Sequence, residues 1–175
     1  MTTDLNPRLQ ELIDKQDIYE LLVRYMRGLD RLDKDLLLSV YHDDATDDRG
    51  FFNGSAKDFV DVAISLLSEH KSNHHMIGQA DIQVEGDVAF GEIYFQAYHR
   101  IVQNGLEKDF LVVGRYVDRY EKRNGVWKIA FRSELNDFDR TDPATDDWSR
   151  ATPEALRGAR GAEDLSSQRE KLRTR

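Results

Sequence analysis

Three observations predict an α+β fold for this chain of 175 residues. Apolar side chains recur every three or four positions up to Asn73, they alternate from His74 to Leu135, and the alternating part is cut by Glu85-Gly86-Asp87, Asn104-Gly105 and Asn124-Gly125. The first spacing is the buried stripe of a helix, the second is a half-buried strand, and Asn-Gly is a tight hairpin connection. Helices followed by a curved, mostly antiparallel sheet leave the helices on one face of that sheet, with a pocket in the space between.

The elements follow in order. Residues 1–7 read as a frayed start, and a first helix runs from about residue 8 or 9 to 31 on the stripe Ile18, Leu21, Leu22, Tyr25, Met26 and Leu29. Gly28 weakens its last turn. Asp33 caps a second short helix with Leu36, Leu37, Val40 and Tyr41 on its apolar side, and His42-Asp43-Asp44-Ala45 form its exit. A short strand and turn are expected over 45–54. Ser55 caps a third helix with Phe59, Val62, Ala63, Leu66 and Leu67 inward. Four strands are expected near 76–84, 88–102, 108–122 and 126–135, joined as a meander. Gly91 and Gly114 lie inside them, where glycine is tolerated for a bulge or for close packing. Residues 1–139 thus form one domain. The stretch 140–175, with eight basic and seven acidic residues and Trp148 as its only aromatic, buries little surface and is expected to be a tail, partly disordered or packed on a neighbouring subunit.

Composition limits the function. No cysteine is present, which removes disulfides, thiolate nucleophiles and cysteine metal sites. A formal charge of −8 opposes binding to a phosphate backbone, so nucleic acid is not expected as a partner. No stretch approaches the roughly 20 apolar residues of a membrane span, and the polar start lacks a signal-peptide core, so a cytoplasmic protein is expected. His74 and His75 point to opposite faces of a strand and have no third ligand at a recognisable spacing, and phosphate loops and nucleophile elbows are missing. Acid-base chemistry remains, with Asp30, His74 or His75, Tyr25 and Arg132 as candidates. Spacing alone leaves each one open. Asp30 reads equally as a solvated helix end, Tyr25 as core, the histidines as a surface strand start, and Arg132 as a solvent-facing residue opposite Trp127, Ile129 and Phe131.

The helix end Tyr25 to Asp30, the run Tyr41-His42-Asp43-Asp44-Ala45, the histidine opening the first long strand, Gly114-Arg115-Tyr116 and the run from Tyr120 to Ile129 together resemble the SnoaL-like branch of the nuclear transport factor 2 superfamily. The resemblance covers residues 9–138 and implies a cone-shaped α+β barrel with a deep apolar pocket. Within the superfamily the chain is most similar to cofactor-free lyases: hexachlorocyclohexane dehydrochlorinase, scytalone dehydratase and bile acid 7α-dehydratase. Asp30 and His75 then match the dehydrochlorinase dyad, Arg132 its pocket arginine, and Tyr25 the tyrosine of the bile acid dehydratase. His75 would be the base, Asp30 its orienting partner, Tyr25 a donor to the leaving group, and Arg132 a stabiliser of negative charge. The resemblance implies elimination on a hydrophobic alicyclic, aromatic or steroid-like molecule, no cofactor or metal, and a homo-oligomer, a trimer ahead of a dimer. The same pocket suits an isomerase, a cyclase or an aldehyde-releasing retro-aldol lyase, and the fold also serves small-molecule binding proteins and dioxygenase small subunits.

Overall fold

A computed structural model describes residues 6–173, so 1–5 of the frayed start expected for 1–7 lie outside the described residues, while Pro7 already belongs to the first helix. Asn6 caps the first helix by accepting from the Arg8 N–H at 3.0 Å, and α1 spans Pro7–Arg31. Every member of the predicted stripe is buried. Gly28 belongs to the packing as well: a Cβ there would lie 2.6 Å from Leu37 Cγ, so the missing side chain admits the second helix α2, Lys34–Ser39. Asp33 caps α2 through Leu36 N–H at 3.0 Å.

The chain enters the sheet earlier than predicted. Strand β1 covers Tyr41–Asp48, so His42 to Ala45 are strand and not helix exit. The physical reason is a parallel partner on both sides of the segment: Tyr41 lies opposite Ile129 and Thr46 opposite Phe131 on the last strand, His42 to Ala45 bulge between these pairs, and short-range pattern carries no trace of such a distant pairing. Strand β2, Asn53–Ser55, returns antiparallel on β1, and Ser55 caps α3, Ala56–Ser68. Strands β3, Ser72–Glu85, β4, Val88–Gln103, β5, Leu106–Arg123, and β6, Val126–Pro143, form the predicted meander. Positive φ at Asn104 and Gly105, and again at Asn124 and Gly125, makes two of its turns. The order is β2-β1-β6-β5-β4-β3, a mixed, mostly antiparallel sheet that stays open, with β2 and β3 as edges; the cone implied by resemblance is therefore a curved sheet and not a closed barrel.

Two bulges interrupt the pairing of β5 with β6. At Gly114 the pairing of β5 with β6 shifts, and a Cβ would meet Leu135 O at 2.2 Å, so only glycine fits. At Ala130 the partner of Tyr120 is Ile129 while that of Arg119 is Phe131, leaving Ala130 extra. That single residue changes the phase of β6. Arg132, expected to face solvent by simple alternation, is turned inward and fully buried.

A buried carboxylate missed in the sequence locks the layers together. Asp14 on α1 accepts from Lys122 Nζ at 2.7 Å, Trp127 Nε1 at 2.8 Å and Gln10 Nε2 at 3.1 Å. Burial alone would raise its pKa, and these donors outweigh burial and hold the carboxyl below its usual range.

Beyond Arg140 the chain first completes β6, then forms α4, Asp147–Ala151, two short 3₁₀ turns at Gly161–Glu163 and Leu165–Ser167, and α5, Arg169–Arg173. Part of this stretch docks on the chain's own helices. Arg31 reaches Ala159 O at 3.2 Å, Arg27 reaches Ser166 Oγ at 3.0 Å, and Arg160 reaches Leu67 O at 3.1 Å. Trp148 stays exposed. Among the described residues no helix is long and apolar enough to cross a membrane.

Candidate active site

The three-and-four stripe of α1 puts Leu29 inward at its last turn, so Asp30 falls at the border of the buried face, beside edge strand β3. There the Asp30 carboxylate accepts three hydrogen bonds from one residue. His75 donates its backbone N–H to both oxygens, at 3.0 and 3.2 Å, and its ring Nδ1 lies 2.7 Å from Oδ1. A carboxylate oxygen only accepts, so Nδ1 carries a proton and neutral His75 keeps its lone pair on Nε2. Nε2 has no protein partner among the described residues. The side chains are nearly enclosed, 5% exposed for His75 and 11% for Asp30.

His75 lines a cavity of about 470 Å³ between α1, α3 and the concave face of the sheet. Its wall is mainly apolar, with Leu29, Phe59, Leu67, Phe95, Phe110 and Val112 among the lining residues. This corrects the reading of α3. Val62 and Leu66, expected in the core, are about half exposed because they border the open cavity, and Val60 takes the buried position instead.

Tyr25 and Arg132 part company in the structure. Tyr25 lines the cavity, and its hydroxyl oxygen accepts from Arg49 Nη2 at 2.9 Å, which leaves the phenolic hydrogen free to point elsewhere. Arg132 is not a lining residue. It lies behind the wall, its guanidinium 4.2 Å from the ring centroids of both Tyr25 and Tyr116 and joined twice to Asp118, at 2.8 and 2.7 Å. Burial disfavours its charge, but Asp118 and the phenols of Tyr41 and Tyr25 more than offset this and raise its pKa well above the ordinary value. Its Nη1 is buried without a partner among the described residues. His74, assigned no chemistry, is exposed.

The arginine on the cavity wall is Arg49, which the sequence reading missed. Its guanidinium stacks over the Phe59 ring at 3.6 Å, donates from Nε to Asp47 at 2.7 Å, and pairs with Glu134. Burial opposes this charge too, and the oxygens of Tyr25, Glu134, Asp47 and Tyr116 outweigh it, raising the pKa well above normal. Arg49 sits after β1 in an irregular loop, where no periodicity points at a cavity. Tyr116, also on the wall, stacks on Phe95 at 4.4 Å and meets Tyr25 edge-on at 5.7 Å; burial raises its pKa well above 10, so it is a neutral phenol.

Two histidines given no role in the sequence reading also line the cavity. The ring of His99 lies 5.2 Å from that of His75 and 4.9 Å from that of His70. Here a signal was available: Phe95, Ala97, His99 and Ile101 alternate along β4 and share its inner face. No group of three or more histidine or acidic side chains among the described residues is arranged to hold a metal ion.

Burial, together with His75 and His70, lowers the pKa of His99 to about 3. The unfolded chain takes up this proton near pH 6.5, so stability is complete above that value and is lost as pH falls towards 3. At pH 5 the loss expected from this group is about 2 kcal/mol. Urea denaturation at pH 7 and pH 5 checks it: the pH dependence should shrink by that amount in a His99→Phe variant, and an unchanged dependence contradicts it.

The profile of the SnoaL-like domain family matches residues 10–133. The chain belongs to the SnoaL-like family. No curated protein matches this SnoaL-like chain in sequence. Solved structures share its fold. A hexachlorocyclohexane dehydrochlorinase from Novosphingobium barchaimii superposes with a TM-score of 0.69 at 20% identity, covering 79% of this chain and 95% of that one. For a candidate scytalone dehydratase from Novosphingobium aromaticivorans the TM-score is 0.67 at 18% identity, over 77% and 91%. A protein from Kribbella flavida gives 0.67 at 20% identity, over 74% and 95%. These likenesses establish the α+β architecture of the nuclear transport factor 2-like type for the SnoaL-like chain.

Proposed function

We propose that this SnoaL-like chain is a cofactor-independent lyase, of dehydratase or dehydrohalogenase type, acting on a hydrophobic alicyclic, aromatic or steroid-like molecule. The observation that carries the reading is His75 on the wall of a mainly apolar cavity, its ring held by the Asp30 carboxylate, which stands outside that wall. Nε2 of His75 takes a proton from a carbon next to an activating group. The C–H electrons become the new double bond, and the leaving group departs with the electrons of the bond that breaks. Asp30 holds the tautomer that makes Nε2 the base and stabilises the imidazolium formed. Tyr25, its oxygen polarised by Arg49, donates to the leaving oxygen or to an activating carbonyl. Arg132 acts through Tyr25 and Tyr116, whose rings it supports from behind, as a positioning residue. The low-dielectric wall strengthens each of these interactions.

The solved lyases that share the fold add support at the level of architecture only. The test is product mass. A panel of β-hydroxy cyclohexanones, hydroxylated steroids and halogenated cyclohexanes should give products lighter by one water or one hydrogen halide. Products of unchanged mass would make the chain an isomerase or cyclase using the same base, a released aldehyde would make it a retro-aldol lyase, and a panel bound but never turned over would make it a binding protein.

A further inference from the structure

A polar cluster beside the dyad, with the His99 ring 5.2 Å from that of His75, is organised around one amide. Asn73 Nδ2 donates to the backbone carbonyl of Leu67 at 3.1 Å, which fixes which end of the amide is nitrogen. Its Oδ1 therefore faces the two rings that approach it, His70 Nδ1 at 2.9 Å and His99 Nδ1 at 3.0 Å. A carbonyl oxygen accepts only, so both rings carry their proton on Nδ1, and each neutral imidazole has an unprotonated Nε2.

For His99 this nitrogen can be traced further. His99 is buried, yet its Nε2 has no partner among the described residues and is not among the fully enclosed unpaired atoms, a state found only for Arg132 Nη1. The side chain lines the cavity, so that is where Nε2 is reached from. A bare lone pair in an apolar cavity is unfavourable until a donor meets it. Carbonyl, ether, halide and carboxylate groups offer no donor and would be repelled there.

We propose that His99, pinned with His70 on the carbonyl oxygen of Asn73, is a hydrogen-bond-accepting subsite of the cavity that takes a hydroxyl group of the ligand. It deepens the reading of the cavity as a substrate site, on which it rests. The subsite is separate from the base, because His75 is held by Asp30 and His99 by Asn73. It also orients: with a hydroxyl on His99 and an oxygen acceptor on Tyr25, an otherwise apolar ligand has one way round in the cavity. The ligand class is a ring compound carrying an alcohol or phenol distinct from the group being eliminated.

The experiment uses the full chain with 2-naphthol and its methyl ether, 2-methoxynaphthalene, which differ in the hydroxyl proton. Nitrogen-15 histidine spectra that connect ring nitrogens to ring protons report each tautomer without any substitution. Free protein at pH 7 should show His99 protonated on Nδ1, and 2-naphthol should shift its Nε2 resonance. The naphthol should bind roughly fivefold to tenfold more tightly than the ether. In His99→Phe that preference should disappear while the ether's affinity is kept. A proton on Nε2 in the free protein, an Nε2 resonance that naphthol leaves untouched, or a preference that survives His99→Phe overturns the subsite. None of these readouts requires turnover, so a chain that discriminates the probes but catalyses nothing fails as a lyase and keeps the subsite. A chain that eliminates without discriminating does the reverse.

Discussion

Replacement of His75 by alanine is expected to lower kcat about a thousandfold on whichever member of the panel turns over, within the range of a lost general base. Affinity for an unreactive analogue should change only a few-fold, because the cavity wall is mainly apolar and the ring is one contact among many. Asp30→Asn is the sharper test. The asparagine keeps nearly the same volume and can still accept the His75 backbone N–H. Turning its NH₂ to the ring, however, forces the opposite tautomer and leaves a proton on Nε2, where the base must be bare. An expected loss on the order of 10³-fold to 10⁴-fold follows if His75 is the base. Steady-state kinetics on both variants, with folding checked by circular dichroism, decide the matter. An Asp30→Asn protein keeping more than about a tenth of the rate would remove the dyad from the chemistry.

The second large effect is structural. Asp118 and Arg132 are both fully buried and joined by two hydrogen bonds, and Tyr120 donates its hydroxyl to the same carboxylate. In Asp118→Asn the guanidinium loses its compensating charge in the core, and the expected loss of stability is about 3–5 kcal/mol. Removing both charges, as in Asp118→Leu with Arg132→Met, should recover a large part of it, since the desolvation cost disappears with the pair. Urea midpoints for the single and double variants measure this. A single variant within about 1 kcal/mol of wild type would mean that water or a relocated group compensates Arg132.

How far a residue's place could be read in advance depended on the range of the interaction that holds it. The α1 stripe, the caps at Asp33 and Ser55 and the Asn-Gly turns are set within a few residues, and all are present in the structure. The β1–β6 pairing joins residues far apart in the chain, and by holding Tyr41 and Thr46 it makes His42 to Ala45 a bulge within a strand and not a helix exit. Arg132 shows the sensitivity of strands in particular. One extra residue at Ala130 exchanges the faces, and no local pattern announces a bulge there.

By itself the sequence determined the class of fold, the helices with their buried faces, the meander, and the position of Asp30 at the edge of an apolar helix face, because helical and strand periods are local properties of the backbone. Naming His75 as the partner of Asp30 needed a resemblance. Only the tertiary structure decided that the pair lies 2.7 Å apart with His75 on a cavity wall, that Arg49 and not Arg132 faces that cavity, and that His70 and His99 share Asn73. Those are contacts between side chains brought together by the curvature of the sheet and the phase of its bulges, which depend on the packing of the whole chain and not on the spacing of neighbours along it.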